Sequence, residues 1–172
     1  DQIVSRPGAL SFRVRTPRYT REITLPMSGL FNIDNALAAI SVAEGYGVDA
    51  ESTAQGLRAA AVPGRMETYT SANEQLTVIV DYAHNGMSLE ALLSSVRSEY
   101  PGRQLTVLFG CTGDKGLDRR EGMGSAAGRW ADRIILTEDD PGSEAVEAIC
   151  DDIGRHIAPH GKSWTAIPDR TQ

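Results

Sequence analysis

Several features are scarce or missing in this chain of 172 residues, and each absence excludes a class of protein. Its two cysteines, Cys111 and Cys150, provide neither a disulfide framework nor the spacing of a metal site. No apolar run is long enough to span a bilayer, and the N-terminus lacks the apolar core of a signal peptide. The formal net charge is −6, which argues against a nucleic-acid interface. We therefore predict a cytoplasmic protein with no nucleic-acid partner, no membrane insertion and no obligate protein partner.

Two common nucleotide-binding signatures are also missing. Residues 110–113 are predicted to form a glycine-bearing loop between a strand and a helix, and such loops allow backbone N–H groups to approach an anion. The loop matches neither the Gly-x-x-x-x-Gly-Lys-[Ser/Thr] phosphate loop nor Gly-x-Gly-x-x-Gly. Glycines that serve a tight turn are therefore the simpler interpretation of this segment.

The most informative stretch is residues 76–89, which read LTVIVDYAHNGMSL. Its short, β-branched first half predicts a strand buried on both faces. Ser88 is in place to cap a following helix whose apolar positions recur at helical intervals. Asp81, Tyr82, His84 and Asn85 would then crowd one strand-to-helix turn, which favours a site over an ordinary capped turn.

The pattern after Pro63-Gly64 alternates between strands and helices. Apolar strands are predicted at 76–80, 105–109, 133–137 and 164–167, and helices near 88–99, 120–131 and 143–157. This order predicts an α/β fold, a mostly parallel sheet with flanking helices.

The residues before that break predict a different arrangement. Alternation at 11–15 and 21–25 predicts a hairpin. A helix through Ala36 and Ile40 would be capped by Asn32 or Asp34 and stopped by Gly45 and Gly47, and a second helix covers 51–60. We expect a domain boundary after Val62, giving domains 1–62 and 63–172.

Charged residues follow three of the predicted strands. Because parallel strands end at the same edge of a sheet, the three loops should gather there. Arg119 and Arg120 stand at a helix start, where the helix dipole disfavours cations, so either they are solvated or they have carboxylate or phosphate partners. Adjacent acids opposite two arginines would suit an amino acid, although an ordinary capped turn fits the same spacing. The residues expected at this edge are Asp81, His84, Lys115, Arg119, Arg120, Asp139 and Asp140.

Four motifs in this order resemble the Mur ligase family of peptidoglycan synthesis. They are FNIDNALAA at 31–39, VPGRME at 62–67, VDYAH at 80–84 and TEDDP at 137–141. The resemblance implies a Rossmann-like C-terminal domain, preceded by the strand and helix tail of a central ATP-binding domain. It implies an ATP- and Mg²⁺-dependent ligase that activates a carboxylate as an acyl phosphate, which the amine of an incoming amino acid then attacks. The substrates would be UDP-N-acetylmuramoyl-dipeptide and a diamino acid.

The resemblance also implies roles for individual residues. The residues that match ATP-contacting positions are Asn35, Arg65, Asp81 and His84. Those that match the incoming amino acid's site are Arg120, Asp139 and Asp140, with Lys115, Arg119 and Glu144 as further candidates. Members that add diaminopimelate carry arginine where this chain has Gly142. Since arginine would grip the second carboxylate, its absence favours L-lysine or a similar diamino acid.

Two family motifs are absent, the central Gly-Lys-Thr phosphate loop and the Gly-x-Gly-His-Glu motif near the C-terminus. We therefore expect these residues alone to be inactive, with no confident catalytic residue and with the Mg²⁺ ligands mostly elsewhere. Two alternatives stay open: a folylpolyglutamate-synthetase-like ligase, which shares the fold and chemistry, and a non-catalytic amino-acid-binding module.

Overall fold

The first 58 residues contain a three-stranded antiparallel sheet and two helices. This computed structural model describes all residues, Asp1–Gln172, and divides them into two compact units, Asp1–Tyr82 and Ala83–Gln172. The sheet has the order β1-β2-β3, and the first elements are β1 (Val4–Arg6), β2 (Ala9–Arg15), β3 (Thr20–Leu25), α1 (Asn32–Gly45) and α2 (Ala50–Arg58). The predicted hairpin is confirmed, since alternate residues of β2 and β3, such as Phe12 and Ile23, are buried. The domain boundary after Val62 stays a prediction.

The two helices of this unit begin differently. The predicted cap of α1 by Asn32 or Asp34 is wrong, because both residues lie inside the helix and no side chain caps it. Asn32 is buried, and its Nδ2 donates to the Ser28 carbonyl oxygen at 2.7 Å. By contrast, α2 has an ordinary cap, in which Asp49 Oδ1 accepts from Ser52 N at 2.9 Å.

Residues 76–80 contain a strand, but its predicted surroundings are wrong. β5 (Thr77–Val80) pairs antiparallel with β4 (Glu67–Thr70) in a two-stranded sheet of its own. Val78 and Val80 are 46% and 44% exposed, so β5 is neither buried on both faces nor a member of a parallel sheet. The β-branched run specified a strand, whereas the partner strand determined its direction and burial.

The second unit has the predicted alternation of helices and parallel strands. Its elements are α3 (Gly86–Glu99), β6 (Thr106–Phe109), α4 (Asp118–Trp130), β7 (Arg133–Leu136), α5 (Val146–Ile157) and β8 (Thr165–Ala166), with one 3₁₀ turn at Ala158–His160. The sheet order is β6-β7-β8, and both pairs are parallel. An α/β fold with a parallel sheet and flanking helices is thereby confirmed, with three strands in the sheet.

Helix α4 lies between α3 and α5 and packs closely against both. Leu89 and Leu93 of α3, Met123 of α4 and Ile149 and Ile153 of α5 are all buried in one core. At the start of α3 the two backbones nearly touch. A Cβ on Gly86 would lie 2.6 Å from Gly122 Cα, and a Cβ on Gly122 would lie 2.9 Å from Gly86 Cα.

The N-terminus of α3 is capped by Asn85 rather than by the predicted Ser88. Asn85 Oδ1 accepts from Ser88 N at 2.9 Å, and Ser88 Oγ lies 3.3 Å from Asn85 N, which together form a capping box. The Asn85 side chain therefore has a structural role. None of the five helices has the length and apolar character needed to cross a membrane.

Candidate functional site

Two loops at the carboxyl ends of β6 and β7 lie against each other. We call residues 110–117 the β6 loop and residues 137–145 the β7 loop. The prediction that these two loops gather at one edge is confirmed, since Gly113 N donates to the Asp140 carbonyl oxygen at 3.1 Å. β5 is not a strand of this sheet, so the parallel-sheet argument for placing Asp81 and His84 at the same edge does not hold.

The glycines of the β6 loop allow this close approach. A Cβ on Gly110 would lie 2.3 Å from the Thr137 carbonyl oxygen, and one on Gly113 would lie 1.8 Å from the Pro141 carbonyl oxygen. No side chain fits at either position without moving the β7 loop. These two glycines are therefore needed for contact between the loops, a reason beyond the turn geometry expected from the sequence.

Two carboxylates join the loops further. Asp114 accepts from Ser143 twice, from the backbone N at 2.7 Å and from Oγ at 2.6 Å. Glu144 Oε1 in turn accepts from Asp114 N at 2.6 Å. The Ser143 hydrogen bonds lower the pKa of Asp114, and the Arg120 hydrogen bond lowers the pKa of Glu144. Both groups are therefore ionised at neutral pH.

Arg120 joins both loops to helix α5. It is 3% exposed, and its Nη2 donates to Glu144 Oε1 at 2.8 Å and to the Thr112 carbonyl oxygen at 3.2 Å. Its Nη1 donates to Asp152 Oδ2 at 3.2 Å. The hydrogen bond to Glu144 is the main cause that raises the pKa of Arg120. The alternative of carboxylate partners is thereby confirmed for Arg120. Its positive charge at the start of α4 is balanced by Glu144 of the β7 loop and Asp152 of α5.

The rim of the two loops is acidic and more exposed. Asp139 is half-buried, and the exposed Asp140 pairs with Lys115 Nζ at 3.4 Å. Arg119 is also half-buried, with its Nε 3.0 Å from where a Gly116 Cβ would lie. Gly142 has φ +58°, and its Cβ would lie 2.1 Å from Asp114 Oδ2. The space where a side chain of residue 142 would begin is thus filled by a carboxylate.

The four residues matched to ATP contacts lie in different parts of the chain. Arg65 and Asp81 are at the same end of the β4–β5 pair: Asp81 Oδ2 accepts from Met66 N at 2.9 Å, and the Arg65 guanidinium carbon lies 5.2 Å from the centre of the Tyr82 ring. Asn35 is exposed on α1, and its Nδ2 donates to Asn32 Oδ1 at 3.1 Å. His84 is exposed and belongs to the second unit.

The residues of this chain do not form a metal centre. No group of three or more His, Cys, Asp or Glu side chains is placed to hold an ion. Burial raises the pKa of Cys111 to about 11, so its thiol stays protonated. Cys111 Sγ lies 3.6 Å from Met123 Sδ, and Cys150 is also buried, so both cysteines are core residues.

Sequence reasoning missed three residues of this network. Asp114 and Ser143 are in the candidate loops, but only the structure shows that they bind each other. Asp152 lies 32 residues from Arg120, and no local pattern marks it.

The sequence of this chain is similar to those of known proteins. The family model described as "Mur ligase, glutamate ligase domain" matches residues 64–172. A UDP-N-acetylmuramoyl-L-alanyl-D-glutamate–L-lysine ligase of Enterococcus faecalis is 41% identical over 95% of this chain and 33% of its own length. The corresponding 2,6-diaminopimelate ligase of Geobacillus thermodenitrificans is 36% identical over 100% of this chain and 35% of its own length.

A solved structure resembles the chain as a whole. The folylpolyglutamate synthase of Mycobacterium tuberculosis, complexed with ADP and AMPPCP, superposes with a TM-score of 0.80 and 26% identity, over 97% of this chain and 37% of its own. The chain spans about a third of the length of the curated relatives that it matches.

Proposed function

Because the chain belongs to the Mur ligase family, we propose that it forms part of an ATP-dependent ligase that joins a diamino acid to UDP-N-acetylmuramoyl-L-alanyl-D-glutamate. The names of the relatives support this substrate pair: two of them, matching nearly the whole chain, add lysine and 2,6-diaminopimelate to that dipeptide. We also propose a cytoplasmic location, where the nucleotide-linked precursor and ATP would be available.

The proposed reaction couples ATP to amide formation. The substrate carboxylate is activated as an acyl phosphate, and the amine of the incoming amino acid displaces phosphate.

We propose that Asn35, Arg65, Asp81 and His84 contact ATP. The pairing of a cation with an aromatic ring and a carboxylate at one end of β4–β5 supports this proposal, since these groups suit phosphate, base and ribose. We propose that ATP is bound together with Mg²⁺, whose ligands lie mostly outside these residues.

We place the incoming amino acid at the β6 and β7 loops, with Arg120, Asp139 and Asp140 as its main contacts and Lys115, Arg119 and Glu144 as further ones. One observation carries the choice of lysine: the space beside Gly142 holds the ionised Asp114 carboxylate instead of a cationic side chain. A second carboxylate there would meet like charge, whereas a side-chain ammonium would be attracted. Ornithine, a shorter cation, is the nearest substitute.

A competition assay tests the substrate. With the full-length ligase that carries this chain, kcat/KM should be higher for L-lysine than for meso-diaminopimelate by about tenfold or more, because a second carboxylate would meet the like charge of the exposed Asp114. Ornithine should fall between them. A preference for diaminopimelate would contradict the proposed role of the loop. Gly142→Arg is not a useful variant, because residue 142 has a positive φ and an added side chain would displace Asp114.

A folylpolyglutamate synthase is the second candidate, supported by the TM-score of 0.80. That activity would need the site to accept glutamate, an acidic amino acid. The carboxylates of Asp114, Asp139 and Asp140 disfavour it by like-charge repulsion. The same assay, with reduced folate and glutamate as substrates, separates the two ligases. A full-length protein that turns over neither substrate pair would favour the amino-acid-binding module.

A further inference from the structure

Arg120 is the one charged residue of this chain that is buried. Its guanidinium has three nitrogens, and two of them bind groups from three separate segments. Thr112 is in the β6 loop, Glu144 is in the β7 loop and Asp152 is on α5. Since a buried cation needs partners in fixed positions, the plane of this guanidinium determines how the two loops meet.

Asp152 differs from the other two partners in where it is attached. The Thr112 and Glu144 oxygens belong to loops and both bind Nη2, whereas Asp152 binds Nη1 from within a helix. That helix is anchored by the fully buried Ile149, Ile153 and Ile157. Asp152 therefore connects the guanidinium to the buried core. The other carboxylate oxygen of Asp152, Oδ1, pairs with Nη1 of the exposed Arg155 at 3.2 Å.

Loop geometry depends on this connection through Glu144. The same Glu144 oxygen accepts from both Arg120 Nη2 and Asp114 N. Asp114 in turn binds Ser143 and fills the space beside Gly142. If the guanidinium rotates, the Glu144 oxygen moves, and the Asp114 carboxylate loses the fixed position in which it would face an incoming amino acid.

We propose that Asp152 is a positioning residue of the amino-acid site: it fixes the Arg120 guanidinium from α5 and so holds the β6 and β7 loops in register. The substrate part of this inference rests on the proposed function. Asp152 itself is not assigned a contact with substrate.

Amide hydrogen exchange on the 172-residue chain tests the structural part. Asp152→Asn should speed exchange by about tenfold, the scale of one charge-assisted hydrogen bond, at Gly113, Asp114 and Ser143, the three amides that join the loops. Asp151→Asn removes the same charge from the exposed neighbouring position of α5 and should leave these amides within about twofold of the wild type. Unchanged loop amides in Asp152→Asn, or equal acceleration across the second unit, would overturn the proposal.

Kinetics of the full-length ligase test the substrate part. Asp152→Asn should raise KM for the amino acid by about tenfold and leave KM for ATP within about twofold. Asp152→Glu keeps a carboxylate and should recover part of the loss, which also covers the case that Asp152→Asn folds poorly. Equal changes in all KM values would refute a positioning role. A wild-type enzyme without amino-acid-dependent turnover would overturn the proposed function and the substrate part together, while the exchange data still decide the loop geometry.

Discussion

Replacing Gly113 with alanine tests whether the β6 and β7 loops lie as close together as the structure places them. The added methyl carbon would lie 1.8 Å from the Pro141 carbonyl oxygen, whereas ordinary contacts begin at 3.4 Å. Relieving the overlap requires a displacement of about 1.5 Å in backbone that has no free space, which costs about 1–3 kcal/mol. The Gly113 N–Asp140 O hydrogen bond would be lost as well, at about 1 kcal/mol. We therefore expect the free energy of unfolding to fall by about 2–4 kcal/mol.

Tryptophan fluorescence provides a selective assay. Both tryptophans, Trp130 and Trp164, belong to the second unit, so urea or thermal unfolding followed by their emission reports on the unit that contains Gly113. For a unit of this size the midpoint should fall by at least about 8 °C. Gly102→Ala is the matched control, because its methyl meets no atom within 4 Å and only its φ of +76° is unfavourable, by about 1 kcal/mol. If Gly113→Ala loses no more stability than Gly102→Ala, the close contact between the loops is refuted.

Two further predictions concern charge. Arg120 lowers the pKa of Glu144, so this carboxylate binds protons more weakly in the folded state than in the unfolded state. The ionised Glu144 therefore stabilises the fold at neutral pH. That contribution is lost as the pH falls below about 4. Glu144→Gln should therefore reduce the acid-dependent loss of stability measured by urea titrations at pH 7 and pH 3.5, and an unchanged difference between the two pH values would contradict this role. In the full-length ligase, Asp81→Ala should raise KM for ATP by roughly tenfold or more through the loss of a charged acceptor. ATP kinetics equal to those of the wild type would leave Asp81 a structural role, which includes its bond to Met66 N.

The parts of the fold that sequence predicted well depend on local pattern. Alternating apolar residues predicted β2 and β3, and helical spacing located α3 and α4 to within two residues of their observed bounds. The resemblance of four short motifs identified the family that the comparisons then showed. The candidate residues of the β6 and β7 loops were found because parallel strands bring their carboxyl ends together.

What local pattern could not give was pairing between distant segments. Residues 76–80 satisfied every requirement of a buried parallel strand, but their partner is the polar run Glu67–Thr70, which was not recognised as a strand. Arg120 was expected to need acids, yet Asp152 could not be singled out from the other acids of a chain that has 23 Asp and Glu. Sequence reasoning supplied only part of the reason that Gly110 and Gly113 are needed, because each lies against a carbonyl oxygen about 28 residues further along the chain.

The contact between Gly86 and Gly122 has a consequence for how the sequence can vary. Each position is restricted by the backbone of the other, and each already carries the smallest possible residue. A larger residue at one site therefore cannot be accommodated by a smaller one at its neighbour, as happens between side chains in most cores. Among sequences that keep this spacing of α3 and α4, the two sites should be invariant together. A sequence in which either has changed should have a wider separation between the helices.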